Sequence, residues 1–190
     1  MTLIHRTLLR SSQWIEAFLR TIAHFFSWTL LVLVAVVCTE VITRKMGWRI
    51  PNLDSTRLQE LAWHLQAVVF CSWIGYAYTR NAHVRVDVLA CNYTPRTRRL
   101  IEVAGCLLLA LPYILVALPY AQEFMLVAYR NNEASSSPGG LSHRWIIKGV
   151  LYLSFWGLLL ANVAVLLRSL AQIISGDYDE DAGQGTHAHG

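Results

Sequence analysis

Seven histidines, four cysteines and a thin scatter of charges are the groups in this 190-residue chain with chemistry to offer. Two histidines on facing helices can ligate a haem iron from both sides, which makes His24 and His64 the first pair to weigh. Each falls near the start of a long apolar run, and consecutive runs must cross in opposite directions. Their depths then differ by about 20 Å at the 1.5 Å rise of a helix, whereas two axial ligands share one depth. His187 and His189 stand in a glycine-rich polar tail where solvated sequence is the simpler reading. His5 and His143 have no partner at ligand spacing. Cys38, Cys71 and Cys106 fall inside predicted helices and Cys91 in a central loop, with no CxxC pair, so neither structural disulfides nor thiol-redox chemistry is expected. No P-loop, nucleophile elbow or pair of catalytic carboxylates is present in the sequence. The chain reads as a non-enzyme, with no cofactor or metal expected.

The remaining candidates are ionisable groups at the edges of apolar segments. Glu40, Glu60, Glu123 and Lys148 all fall at segment ends that alternating crossings bring to one side of the membrane, and Arg44 lies at i+4 from Glu40 on one helix face. Two readings stand side by side. Terminal charges extend their heads to water as a matter of course. Ionisable groups at a shared level also pair within a bundle or face a partner chain. Toward the middle of the segments the polar residues are neutral: Gln66, Ser72 and Gly75 in one, Ser154 and Asn162 in another. Such residues suit close helix packing and hydrogen bonding. A proton-coupled carrier needs an ionisable group near mid-depth, and this sequence has none there.

The elements that must position these groups follow from composition. The chain is 55% hydrophobic and 15% charged, with a mean hydropathy of +0.39. A soluble domain carries about 25% charged residues. Here the charges are clustered, leaving stretches free of formal charge between Arg20 and Glu40, Glu60 and Arg80, Glu102 and Glu123, and Lys148 and Arg168. Each stretch is about the 20 residues needed to cross a hydrocarbon core. Unpaired backbone is not tolerated in lipid, so helices are the expected form. The expected fold is an all-α integral membrane protein with four transmembrane helices, about 22–43, 61–79, 101–123 and 145–167, plus amphipathic interfacial segments. Residues 1–21 read as an amphipathic lead-in lying on the membrane surface, 22–170 as the membrane domain, and 171–190 as a disordered acidic tail. The first run is too long for a signal-peptide core and lacks a small-x-small cleavage site. Pro112 and Pro119 predict a bend in the third helix. No internal repeat is evident, although carriers that move substrate alone often have one.

The net charge of +4 is accounted for by arginines that flank the helices and meet lipid headgroups, not by nucleic acid. Arg80, Arg85, Arg96, Arg98 and Arg99 crowd the central loop. By the positive-inside tendency that loop and both termini are cytoplasmic. Trp48, Trp63 and Trp145 fall near one interface and Trp14 and Trp28 near the other, as aromatic belts do.

The order of motifs resembles a known family. Glu60-Leu61 opens the second helix, which ends Trp73-Ile74-Gly75-Tyr76-Ala77-Tyr78-Thr79-Arg80. His83-Val84-Arg85-Val86-Asp87-Val88-Leu89 and Pro95-Arg96-Thr97-Arg98-Arg99 follow. Glu133-Ala134-Ser135, Gly139-Gly140-Leu141 and Arg144-Trp145-Ile146-Ile147-Lys148 lead into the fourth helix. Together, over about residues 44–170, these resemble the small permease subunit of TRAP transporters, the tripartite ATP-independent periplasmic carriers. The resemblance implies a large multi-span permease subunit that carries the sodium and substrate sites, and a periplasmic solute-binding protein that delivers a carboxylate or sulfonate. Uptake is then sodium-driven across a bacterial inner membrane, and the small subunit braces the large one and adds to the docking surface. Under this reading Glu40, Arg44, Glu60, Trp63, Glu123, Glu133, Arg144 and Lys148 form an outer polar layer or partner interface. Arg80, His83, Arg85 and Asp87 belong to an inner interfacial element. The alternatives are a membrane anchor of a quinone- or haem-linked oxidoreductase complex, and a small multidrug exporter.

Overall fold

A computed structural model describes residues 3–48, 54–80 and 94–176. Its elements are five α-helices and one π-helical turn, and no strand occurs among the described residues. Helix α1 runs unbroken from Leu3 to Met46, 44 residues, or about 66 Å. The expected surface lead-in is therefore not a separate element. Its stripe of Ser12, Leu19 and Ala23 is buried, turned inward onto the last helix. Beyond Ala23 no described residue of α1 is buried. Its hydroxyls are satisfied locally: Ser27, Thr39 and Thr43 donate to the carbonyls of Ala23, Ala35 and Thr39 at 2.7–2.8 Å, as apolar surroundings require.

Helix α2 spans Ser55–Thr79. Helix α3, Pro95–Gly105, starts on Thr94, whose Oγ1 accepts from the Thr97 amide at 3.3 Å, with proline in the first turn. It continues through a π-helical turn, Cys106–Ala110, into α4, Leu111–Arg130. Within the turn Leu111 N–H reaches Cys106 O, five residues back. The cause lies one residue on: Pro112 has no N–H and crowds the carbonyl of Leu108, so the ladder widens before it. The π-turn precedes Pro112, whereas Pro119 lies inside α4. Helix α5 spans Trp145–Ser175 and closes on Gly176 at φ +68°, eight residues past the expected end.

Long-range contacts give the topology. Glu40 meets Ser55 and His24 meets Trp73, so α1 and α2 run antiparallel. Tyr78 meets Asn162, and Gly75 lies against Gly157, so α2 and α5 run the same way. Phe124 lies under Lys148 and Tyr129 against Trp145, so α4 opposes α5. The four segments alternate up and down, and α1, α2 and α4 all pack on α5. That helix accordingly buries Ser154, Ala161, Ala164 and Ser169, small side chains that admit close neighbours. The tightest approach is at Gly75, where a methyl group would sit 2.9 Å from the Gly157 oxygen.

Three stretches, His5–Met46, Pro95–Arg130 and Trp145–Ser175, are long and apolar enough to cross a membrane. Helix α2, at 25 residues, reaches about 37 Å but is diluted by Gln59, His64, Gln66 and Ser72. The apolar length that defines a span is thus met in three of the four segments.

Candidate functional site: polar layers at the two ends of the bundle

At one end, the loop between α4 and α5 is folded over the bundle by a carboxylate. One Glu60 oxygen accepts from the Ser135 hydroxyl and the other from the Leu141 amide at 2.6 Å. Ser135 N–H donates to Leu141 O at 3.0 Å, closing the loop on itself. Ser137 to Gly140 make a turn with Pro138 at its second position and Gly139 at its third, φ +77°, closed by Gly140 N–H to Ser137 O at 3.0 Å. Proline followed by a left-handed glycine is the chemistry of a type II turn. Gly140 is small for a second reason: a methyl there would run into Ser135 Cβ and lie 2.8 Å from Glu60 Oε1. Arg57 Nε donates to Gly139 O at 2.7 Å from the side of α2.

The other half of this clasp is an ion pair. Lys148 Nζ sits 2.5 Å from Glu133 Oε2 and 3.8 Å from the Phe124 ring centre, a cation held by both a carboxylate and an aromatic face. The Arg144 amide donates to Glu133 O at 3.1 Å. Glu60 lies just outside the 61–79 stretch. The Ser135 hydroxyl, then the Leu141 amide, then the Arg144 charge hold its carboxyl below the ordinary value of 4.5.

Of the residues expected in the outer layer, Glu60, Glu133, Arg144 and Lys148 converge. Glu40 and Arg44 form their own contact at 3.8 Å, and Ser55 Oγ donates to Glu40 at 3.0 Å, tying α1 to α2. Trp63 is exposed and lines a cleft between those helices. Glu123 is exposed and joins none of these contacts. Arg80 is the exposed C-cap of α2. His83, Arg85 and Asp87, and the expected acidic tail from Asp177, lie outside the described residues.

The opposite end carries a second network, most of it between residues far apart in the chain. Arg168 Nη1 is 3.2 Å from Glu16 Oε1, and its Nη2 donates to Thr79 O at 3.3 Å, so one guanidinium joins α1, α2 and α5. Ser12 Oγ lies 3.0 Å from Ala164 O and 3.2 Å from Glu16 Oε1. A second pair, Arg99 and Glu102 at 2.6 Å, is buried, and Ser169 donates to the same carboxylate at 2.8 Å. Nearby, Asn162 accepts from Tyr78 OH at 3.2 Å and donates to Cys106 O at 3.3 Å, on the π-turn. The Arg99–Glu102 spacing of i, i+3 was the one local sign of this layer. Lys148 and Arg168 are twenty residues apart on one helix, about 30 Å, which is one hydrocarbon thickness.

His24 and His64 do not pair as axial ligands of a haem. The His24 ring lies 6.5 Å from that of Trp73, and Trp73 is nine residues, about 14 Å, along α2 from His64. Among the described residues no three His, Cys, Asp or Glu side chains group at metal-binding distance.

Long apolar helices secured by polar layers at both ends define a helical membrane protein. Residues 33–174 match the model of the family described as tripartite ATP-independent periplasmic transporters, DctQ component. The chain belongs to that family: it is a small permease subunit of a TRAP transporter, a transport component and not an enzyme. Membership implies a large permease subunit and a binding protein as partners. No curated protein and no solved structure matches the chain.

Proposed function

We propose that this subunit braces the large permease of a sodium-driven carrier for an organic anion, carboxylate or sulfonate, and presents the α4–α5 loop to the binding protein. In this reading all four segments span a bacterial inner membrane, α2 included. Both termini and the Arg80–Arg99 loop face the cytoplasm, against anionic lipid headgroups. The observation that carries it is the clasp of Glu60, Ser135, Leu141, Glu133 and Lys148, which fixes an outer loop on the rigid pair α2 and α5. A loop held at both halves offers a docking surface whose ordering is already complete, so a partner gives up less entropy on binding. Charges at the two ends and neutral helices between suit a brace better than a pathway.

Reconstitution tests it. The complete system, with both permease subunits and the binding protein, should take up an organic anion only with an inward sodium gradient. The small subunit alone should take up none. Sodium-driven uptake by this chain alone would overturn the proposal. Ala at Glu60 or Lys148 should weaken binding-protein-dependent uptake, and unchanged uptake in both variants would remove the loop from the docking surface.

A further inference from the structure

The clasp and the inner network leave few polar side chains of the bundle unpaired, and Gln66 is the one set deepest from the charged ends in the α1–α2 cleft, below Gln59 at its rim. Gln66 lies in α2, six residues inward from Glu60, about 9 Å below that charged level. It is exposed and has no hydrogen-bond partner among the described residues. It opens into a cleft of about 620 Å³ between α1 and α2, lined by apolar residues that include Leu33, Val37, Ala62, Trp63 and Phe70. Trp63 and Phe70 are 64% and 67% exposed, and α1 buries nothing along this stretch. Between the Glu40–Ser55 and His24–Trp73 contacts, the paired helices leave this cleft open on one flank.

We infer that this cleft seats a transmembrane helix of the large permease subunit, with a hydrogen-bonding side chain set against the Gln66 amide. The inference rests on the reading of this chain as the small subunit bound to a larger one, and assigns the face that binds. The amide decides the occupant. An acyl chain would fill the apolar walls yet leave two donors and an acceptor unpaired in hydrocarbon, which is costly. Lipid headgroups lie at the interface, not about 9 Å beneath it. A helix supplies both needs: side chains every third or fourth residue to fill the cleft, and a Ser, Thr, Asn or Gln to meet the amide. On α2 the cleft extends from Gln59 to Phe70, eleven residues or about 16 Å, which is three turns of a facing helix. The exposed face of the π-turn and α4 is different: Leu108 and Leu109 of the turn and Leu115 and Val116 of α4 face outward, with Tyr113 as its mid-level polar group.

The cleft holds its own probe. Cys38 is among its lining residues and is a free, exposed thiol. In the assembled complex, with the other cysteines replaced by serine or alanine, a photoactivatable group on Cys38 should cross-link to the large subunit. Gln66→Leu should lower that yield and the fraction of complex surviving solubilisation by about three- to tenfold, the strength of one interhelical hydrogen bond in a membrane. The isolated Gln66→Leu chain should melt no lower than its parent, because the amide has no internal partner to lose. Tyr113→Phe, on the other face, should leave the complex unchanged. Cross-links confined to lipid, or to a second copy of this chain, in a complex that still contains the large subunit would overturn the inference and leave the scaffold reading standing. So would a Gln66→Leu complex of undiminished stability. Failure of every variant, and of the parent chain, to co-purify with a large subunit would sink both.

Discussion

Gly140 and Gly105 are both glycines of this chain, but they answer to different constraints. A methyl at Gly140 collides with Ser135 and Glu60, whereas one at Gly105 meets nothing within 4 Å. Gly140→Ala should therefore open the clasp and cost about 1–3 kcal/mol, the usual range for overpacking. Gly105→Ala should add about 0.5–1 kcal/mol by helix propensity. Thermal melting of the purified subunit checks both, and a destabilised Gly105→Ala would show that the helix there needs its flexibility. Glu60 makes a pH-dependent contribution. Its folded carboxyl titrates below the ordinary value, so its bonds to Ser135 and Leu141 are fully present above pH 4.5 and are lost as pH falls below it. Hydrogen exchange at Leu141 should rise on acidification relative to a Glu60→Gln variant measured at the same pH. Equal pH profiles in the two proteins would detach the clasp from this carboxylate.

At the level of elements, α5 is the post on which α1, α2 and α4 are hung, and Arg168 is where three of them are joined. Removing one partner of a partly buried ion pair leaves the other uncompensated, so Arg168→Met should destabilise the subunit by about 3 kcal/mol. Converting Glu16 to Gln in the same chain should recover much of that, because the orphaned charge is gone. A double-mutant cycle read by denaturation measures the coupling, and additive losses would mean that the pair does not join the helices. The π-turn before Pro112 belongs to the same scale. It places Cys106 O where Asn162 can donate to it, so a proline in α4 is linked to packing on α5.

Across the whole molecule, a polar layer at each end and a neutral interior describe an object that holds its orientation in a bilayer and offers its flanks to neighbours. The sequence Asp177–Gly190 is acidic, then rich in glycine and histidine, with few apolar residues. A chain ending after Gly176 should support uptake within about twofold of the full subunit when assembled with its partners. Loss of most of the uptake would assign the tail a role in the complex.

The apolar runs and the charges that bound them were written in the sequence, because transfer of a segment into hydrocarbon depends on its own residues and on no others. The family was equally legible, since its motifs are local strings. That Glu60 and Lys148 stand at helix ends was visible in the sequence. The tertiary structure decided what those charges touch. Glu60 finds Ser135 and Leu141 across 75 and 81 positions, and Glu16 finds Arg168 across 152. No periodicity encodes such separations. The same holds for α1: its amphipathic stripe was visible, but a stripe faces lipid or protein according to what lies beside it. Here helix packing turned the first half inward and left the second half open beside Gln66.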